Sequence, residues 1–330
     1  MTRLPHIGFR VVGTAWTRRI VVDHAAAFAA YAVADPRASI DKEGYLSAFR
    51  FTNDFRGYFA ANGNSERGYN GVSWADWLWL DVDRDDLQRA LDDARRLAAM
   101  ILERYRDLDA DDLLAFYSGS KGFHLGIPTC LWRPLPDERF NLFARRFCKR
   151  LADAGGVRID DGVYTLTRLF RAPNTRHPKT GLHKRRLEID ALMRVNLDGI
   201  QRLAHRPEPF ALPTPAAASE QAAADWRDAA AAVEWGAEGK AERRATALNG
   251  TPTLNRQTLA FIRDGAEQGD RHRLLFSAAA NLAEFGCPPA LAHALLSEAA
   301  LDSGLSPADV RRQIDCGLEH AAKQRKGNEQ

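Results

Sequence analysis

The apolar positions of this chain change period repeatedly, and each change marks an element. Over residues 86–105 they recur three or four apart, and Leu87, Ala90, Leu91, Ala94, Leu97 and Ala98 form one stripe, which predicts an amphipathic helix. Residues 140–154 repeat the pattern and predict a second helix, and a further helix is expected over 21–33. Short apolar runs between turn residues predict strands at 46–51, 77–83, 113–117 and 123–127. Gly57-Tyr58-Phe59-Ala60 is expected to continue the sheet after a turn, and Asn62-Gly63-Asn64 and Asn70-Gly71 are turn signals.

Mixed strands and helices to about residue 210 predict an α/β or α+β domain. Beyond Leu203 the texture changes. Pro207, Pro209, Pro213 and Pro215 precede an alanine-rich stretch, the mark of an exposed connection leading into helix. From Arg271 the chain reads as a small all-α module. Helices are expected at 271–285 with Gly286 past the end, at 289–301, and from Ser306 as N-cap to about 323. The expected division is therefore 1–210, a linker and connecting helix over 211–260, and a helical domain over 261–330. No internal repeat is present.

Composition narrows the function classes. The 330 residues suffice for one large domain or two ordinary ones, and 46 Lys and Arg against 43 Asp and Glu leave a net charge of only +3. Any nucleic-acid contact must come from local clusters such as His183-Lys184-Arg185-Arg186 with Arg168, Arg171 and Arg176. Cys130, Cys148, Cys287 and Cys316 are far apart, so neither a structural zinc site nor a disulfide framework is expected. The N-terminus has no basic region followed by an apolar one, and no apolar run has membrane-spanning length. The expectation is a reduced, cytoplasmic protein with no membrane partner, and the Ala- and Arg-rich composition has a bacterial or phage texture.

Candidate chemistry begins where the run Trp77-Leu78-Trp79-Leu80 ends in Asp81-Val82-Asp83. Residues two apart on a strand share a face, so Asp81 and Asp83 form a ready clamp for divalent cations. A second motif, Ser118-Gly119-Ser120-Lys121-Gly122-Phe123-His124, lies between two expected strands. Its glycines permit a tight turn whose N–H groups could face an anion, with Ser118 and Lys121 adding a hydroxyl and a point charge. It lacks the Walker A form, so a helicase or ATPase engine is not indicated. The third segment runs from Ile159-Asp160-Asp161 through Arg168-Leu169-Phe170-Arg171 to His177-Pro178-Lys179-Thr180-Gly181. Its Asp could complete a two-metal site, and its basic residues could neutralise phosphates.

These three segments, in this order over roughly residues 45–190, resemble the archaeo-eukaryotic primase superfamily, including the primase-polymerases of plasmids and phages. The resemblance implies an RNA-recognition-motif-like sheet in the catalytic core, and the C-terminal module resembles the helical extension of phage and plasmid primases. It implies that Asp81, Asp83 and Asp160 hold two Mg²⁺ or Mn²⁺ ions, with Asp161 or Asp190 as alternatives for the third ligand. It also implies a nucleotide-binding set of Ser118, Ser120, Lys121, His124, Arg171, His177 and Lys179.

The implied function is a DNA primase and polymerase that starts and extends chains on single-stranded DNA, serving a plasmid, phage or other mobile element. Its partners would be the template, NTPs or dNTPs, and a replicative helicase. Two rivals stand beside it: a non-catalytic origin- or single-strand-binding protein, and a metal-dependent nuclease. A nuclease has no leaving pyrophosphate to bind, which counts against it.

Overall fold

The computed structural model describes residues 6–13, 18–214, 218–249 and 254–328. Pro215, part of the expected connection, lies outside the described residues. The chain forms two compact units, Met1–Gly236 and Ala237–Gln330.

The first unit opens with β1 (Ile7–Val12), β2 (Ile20–Asp23), α1 (His24–Ala32), β3 (Gly44–Ser47), β4 (Arg50–Phe51), α2 (Asp54–Ala61) and β5 (Ser73–Trp74). Then come β6 (Trp77–Asp83), α3 (Leu87–Arg104), β7 (Leu114–Tyr117), β8 (Gly122–Pro128) and α4 (Phe140–Ala154). It continues through β9 (Leu169–Arg171), β10 (Arg185–Leu187), α5 (Ile189–Arg194) and α6 (Leu197–Leu203) into α7 (Glu220–Asn249). The result is a mixed α/β unit with two antiparallel sheets. One has six strands in the order β5-β4-β1-β3-β9, with β2 also on β1; the other runs β10-β7-β8-β6.

In the four-stranded sheet β6 and β7 both run antiparallel to the intervening β8, so β6-α3-β7 is a split β-α-β unit. Asp86 caps α3 by accepting from the N–H of Gln88 and Arg89, and the predicted stripe is its buried face from Ala90 on, extended by Ile101, with Leu87 half-buried. Alternation along β6 gives the strand two characters. Leu78, Leu80 and Val82 are buried on one face, while Trp79, Asp81 and Asp83 share the other. Opposite Trp79 stands Gly126, where a Cβ would lie 2.5 Å from the indole ring.

β6 is an edge strand, and the segment after α4 seals it. The N–H of Asp160 donates to the Asp81 carbonyl (2.8 Å), and the Tyr164 hydroxyl donates to that of Trp79 (2.6 Å). The same bonds bring Asp160 beside the D-V-D pair.

Three expected elements differ. Residues 21–33 begin as β2, because Ile20, Val21 and Val22 pair with β1; helix starts only after Asp23, whose carboxylate accepts from the Ala26 N–H. The expected strand 46–51 is broken into β3 and β4, with the Ala48 N–H turned to the Arg168 carbonyl. Gly57–Ala60 is helical, because Phe55 and Phe59 lie one turn apart and both reach the core.

α7 joins the first unit through Asp225 and Trp226. Asp225 accepts two 2.6 Å bonds from Arg104 and one of 2.8 Å from the Tyr105 hydroxyl, while Trp226 packs on Trp132, Phe140 and Phe147.

The second unit is helical, with α8 (Arg256–Asp264), α9 (Arg271–Glu284), α10 (Pro289–Asp302) and α11 (Pro307–Asn328) around Phe261, Leu275, Leu282, Leu296 and Ile314. Gly286 takes a positive φ of 72° after α9, and the Ser306 hydroxyl accepts from the Asp309 N–H. Among the described residues no helix is long and apolar enough to cross a membrane.

Candidate active site

The acidic wall is assembled on β6 and β8. Asp81 pairs across the ladder with His124, whose Nε2 stands 3.5 Å from Asp81 Oδ1. Both side chains are nearly sealed from solvent, at 15% and 7% exposed. Burial, then the charges of Asp83 and Asp160, push the Asp81 carboxyl up to about 8. Asp83 is raised by burial and by Asp160. Burial holds His124 well below the usual imidazole range, so it is neutral near pH 7. Asp160 is held by its backbone and by its own Oδ1, which accepts from the Gly162 N–H (2.8 Å).

The turn between β7 and β8 differs from the expected anion nest. The Ser118 Oγ accepts from the N–H groups of Ser120 (3.3 Å) and Gly122 (3.1 Å), so those two donors are spent within the turn and the Ser118 hydroxyl keeps its own proton to donate. Gly119 has a φ of +83°, and a Cβ there would lie 3.0 Å from the Leu182 carbonyl oxygen. That tight approach lets the third segment dock. The Thr180 hydroxyl donates to the Gly119 carbonyl at 2.6 Å, tying the H-P-K-T-G stretch to the S-G-S-K-G turn.

His177 accepts at Nδ1 from the N–H groups of Lys179 (3.2 Å) and Thr180 (3.3 Å). Its ring proton therefore sits on Nε2, and burial together with nearby Arg171 lowers its pKa. His177 offers the cavity a neutral donor, whereas Lys121 and Lys179 offer exposed ammonium groups.

All of these parts line one cavity of ≈ 320 Å³: Asp81, Asp83, Asp160, Ser118, Ser120, Lys121, His124, Arg171, His177 and Lys179. The two alternatives for the third carboxylate lie elsewhere. Asp161 takes a 3.1 Å bond from Arg145, and Asp190 is an exposed partner of Arg194 on α5. Arg176 also turns away, with Nε donating to the Gly181 carbonyl.

Three neighbours lie outside the expected set of site residues. Tyr45 and Arg168 line the cavity, and Arg171 Nη2 donates to the Tyr45 hydroxyl (3.0 Å) while lying 3.3 Å from Glu43. Lys184, which the basic run suggested was on the surface, is 1% exposed. Its ammonium sits over the rings of Trp79, Phe116 and Phe170 and donates to the Arg171 carbonyl (2.8 Å). The signal for Arg168 and Lys184 was their place in the basic runs; Tyr45 carried none.

Among the described residues no three acidic, histidine or cysteine side chains already stand close enough together to hold a metal ion. The donor set nonetheless fits a hard divalent cation. Asp81 Oδ1 is buried without a hydrogen-bond partner, and the neighbouring carboxylates raise the proton affinity of Asp81 and Asp83. Asp81, Asp83 and Asp160 are the residues that would hold such an ion.

A mixed α/β unit that sets three carboxylates against a rim of cations has the makings of a phosphate-handling centre. Residues 80–189, the stretch holding every residue of the proposed set, match the model of the DNA primase small subunit family. The resemblance to the archaeo-eukaryotic primase superfamily is thereby borne out. No curated protein matches the chain. Among solved structures, the primase RepB′ is similar at 11% identity and a TM-score of 0.38, over 97% of this chain and 93% of that one. The polymerase domain of Mycobacterium tuberculosis ligase D, solved in complex with DNA, is similar at 19% identity and a TM-score of 0.29, over 60% and 75%.

Proposed function

We propose that the protein is a template-dependent nucleotidyltransferase, a DNA primase-polymerase working on single-stranded DNA with NTPs or dNTPs. One observation carries the reading: ten residues singled out in three separate segments line a single cavity. The match of residues 80–189 to the primase small subunit family supports it.

In this reading Asp81, Asp83 and Asp160 hold Mg²⁺ or Mn²⁺. The bound ions would lower the charge of the triphosphate and the pKa of the attacking 3′-hydroxyl. The chain's own residues do the rest. Lys121, Lys179 and Arg171 neutralise phosphate oxygens, and His177 and Ser118 donate hydrogen bonds that hold the triphosphate in line. His124 stands across the ladder from Asp81 as a neutral imidazole. The RNA-recognition-motif layout expected of the core is supported by the split β-α-β unit. It differs in that β10 pairs with β7, leaving the D-V-D strand at an edge.

The test uses single-stranded templates, Mg²⁺ or Mn²⁺, and labelled NTPs and dNTPs, with and without an annealed primer. Metal-dependent products on unprimed template are expected, with longer products when a primer is supplied. DNA binding without incorporation in either condition would favour the non-catalytic binding protein.

A further inference from the structure

Beside the nucleotide cavity lies a second cleft of ≈ 950 Å³, and the linings of the two share Asp83, Lys121 and Asp160. The cleft runs along the C-terminal half of α4 and the segment leading to Asp160, and no residue proposed to bind the triphosphate lines it except Lys121.

We propose that this cleft takes the nucleic-acid strand bearing the attacking 3′-hydroxyl, its last phosphodiesters lying against Lys149 and Arg158. The inference rests on the proposed function and extends it to the second substrate. In-line transfer requires the hydroxyl to reach the α-phosphate from the side away from the leaving pyrophosphate. The phosphate-binding rim occupies the nucleotide cavity, so the attacking strand has to enter by way of the shared carboxylates. The cleft is three times the volume of the nucleotide cavity, room for more than one nucleotide.

Its charges are divided to suit that strand. Arg84 is engaged by Asp93 (2.6 Å) and by the Arg158 carbonyl (2.7 Å), bracing the loop before Asp160, and Asp161 is engaged by Arg145. Lys149 and Arg158 are exposed, and among the described residues neither side chain has an ion-pair or hydrogen-bond partner. They stand on the cleft wall with Asp85 and Asp153, while Asp83 and Asp160, the proposed metal ligands, and Lys121, proposed for the triphosphate, mark its inner end. Each cation held to a phosphate releases a condensed counterion, which gives the contact a salt signature.

The experiment compares the full-length wild type with a Lys149→Glu, Arg158→Glu double variant and a charge-keeping Lys149→Arg, Arg158→Lys variant. The readouts are KM for primed DNA, KM for nucleotide, Mn²⁺ binding, and the salt dependence of DNA binding. Charge reversal is expected to raise KM for primed DNA at least about tenfold and to lower the slope of log K against log salt by about 1.4, two single-strand contacts at roughly 0.7 each. Nucleotide KM and Mn²⁺ binding should hold, which also verifies the fold, and the charge-keeping variant should resemble wild type. A KM for primed DNA within twofold of wild type, or an effect confined to unprimed synthesis, would overturn the assignment. A wild type that incorporates nothing would sink the proposed function, and an unchanged salt slope would then sink the cleft as a strand site.

Discussion

The two walls of the cavity are built by different means. The acidic wall belongs to a sheet: Asp81 and Asp83 take their positions from the alternation of β6, and Asp160 from a backbone bond onto that strand. Most of the cationic rim, Lys121, His177 and Lys179, belongs to loops, tied by the Thr180 bond to Gly119 and the backbone donors on His177, while Arg171 stands on β9 and bonds Tyr45 and Glu43. Carboxylates that repel one another need a rigid frame to stay together, whereas long cationic side chains can find phosphates from a looser one. Losses on the acidic wall should therefore abolish chemistry, and losses on the rim should weaken binding.

The sharpest contrast should come from Asp83→Ala. Incorporation is expected to fall at least about a thousandfold with DNA binding retained, while Asp161→Ala and Asp190→Ala keep near-normal rates. Comparable loss in either of the last two would relocate the third ligand. On the rim, Lys121→Ala and Lys179→Ala should each raise nucleotide KM about tenfold, roughly 1.4 kcal/mol, with kcat changed much less. A collapse of kcat with unchanged KM would erase the distinction between the walls.

Acidity probes the walls in another way. Asp81 has a folded pKa of about 8, above its unfolded value, so the folded state keeps a proton that the unfolded chain has lost. Its contribution favours the fold at low pH and fades as pH rises from about 4 to 8. Thermal melts without metal should therefore show stability falling across that window, and Mn²⁺ should restore it most at the alkaline end. A metal effect independent of pH would contradict this. The smallest effect is expected for Thr180→Val, about 1 kcal/mol from the lost bond to Gly119, read as a melting drop of about 2–4 °C and a few-fold rise in nucleotide KM.

The acidic wall was legible in the sequence because period-two alternation fixes which residues share a face. Phe55 and Phe59 show the limit, since a short aromatic run suits strand and helix alike until its neighbours decide. The rim was legible as a set of residues, although not as geometry. Ser118 spends its oxygen on its own turn, and nothing in S-G-S-K-G states that two of its N–H groups are spent there. The burial of Lys184 was hidden for a related reason. A cation in a basic run reads as solvated, and only the tertiary fold reveals three aromatic rings around it. Tyr45 reaches the cavity from the other sheet, a juxtaposition that no local pattern encodes.

The most direct test of the central claim pairs activity with stability in Asp81→Asn. The amide keeps the shape of the carboxyl and removes a buried charge that has no hydrogen-bond partner at Oδ1. The account predicts no detectable template-directed product with Mn²⁺ and a melting temperature at pH 8, without metal, at least about 3 °C above wild type. Incorporation at the wild-type rate by the folded variant would contradict the assignment of this cavity as the catalytic centre.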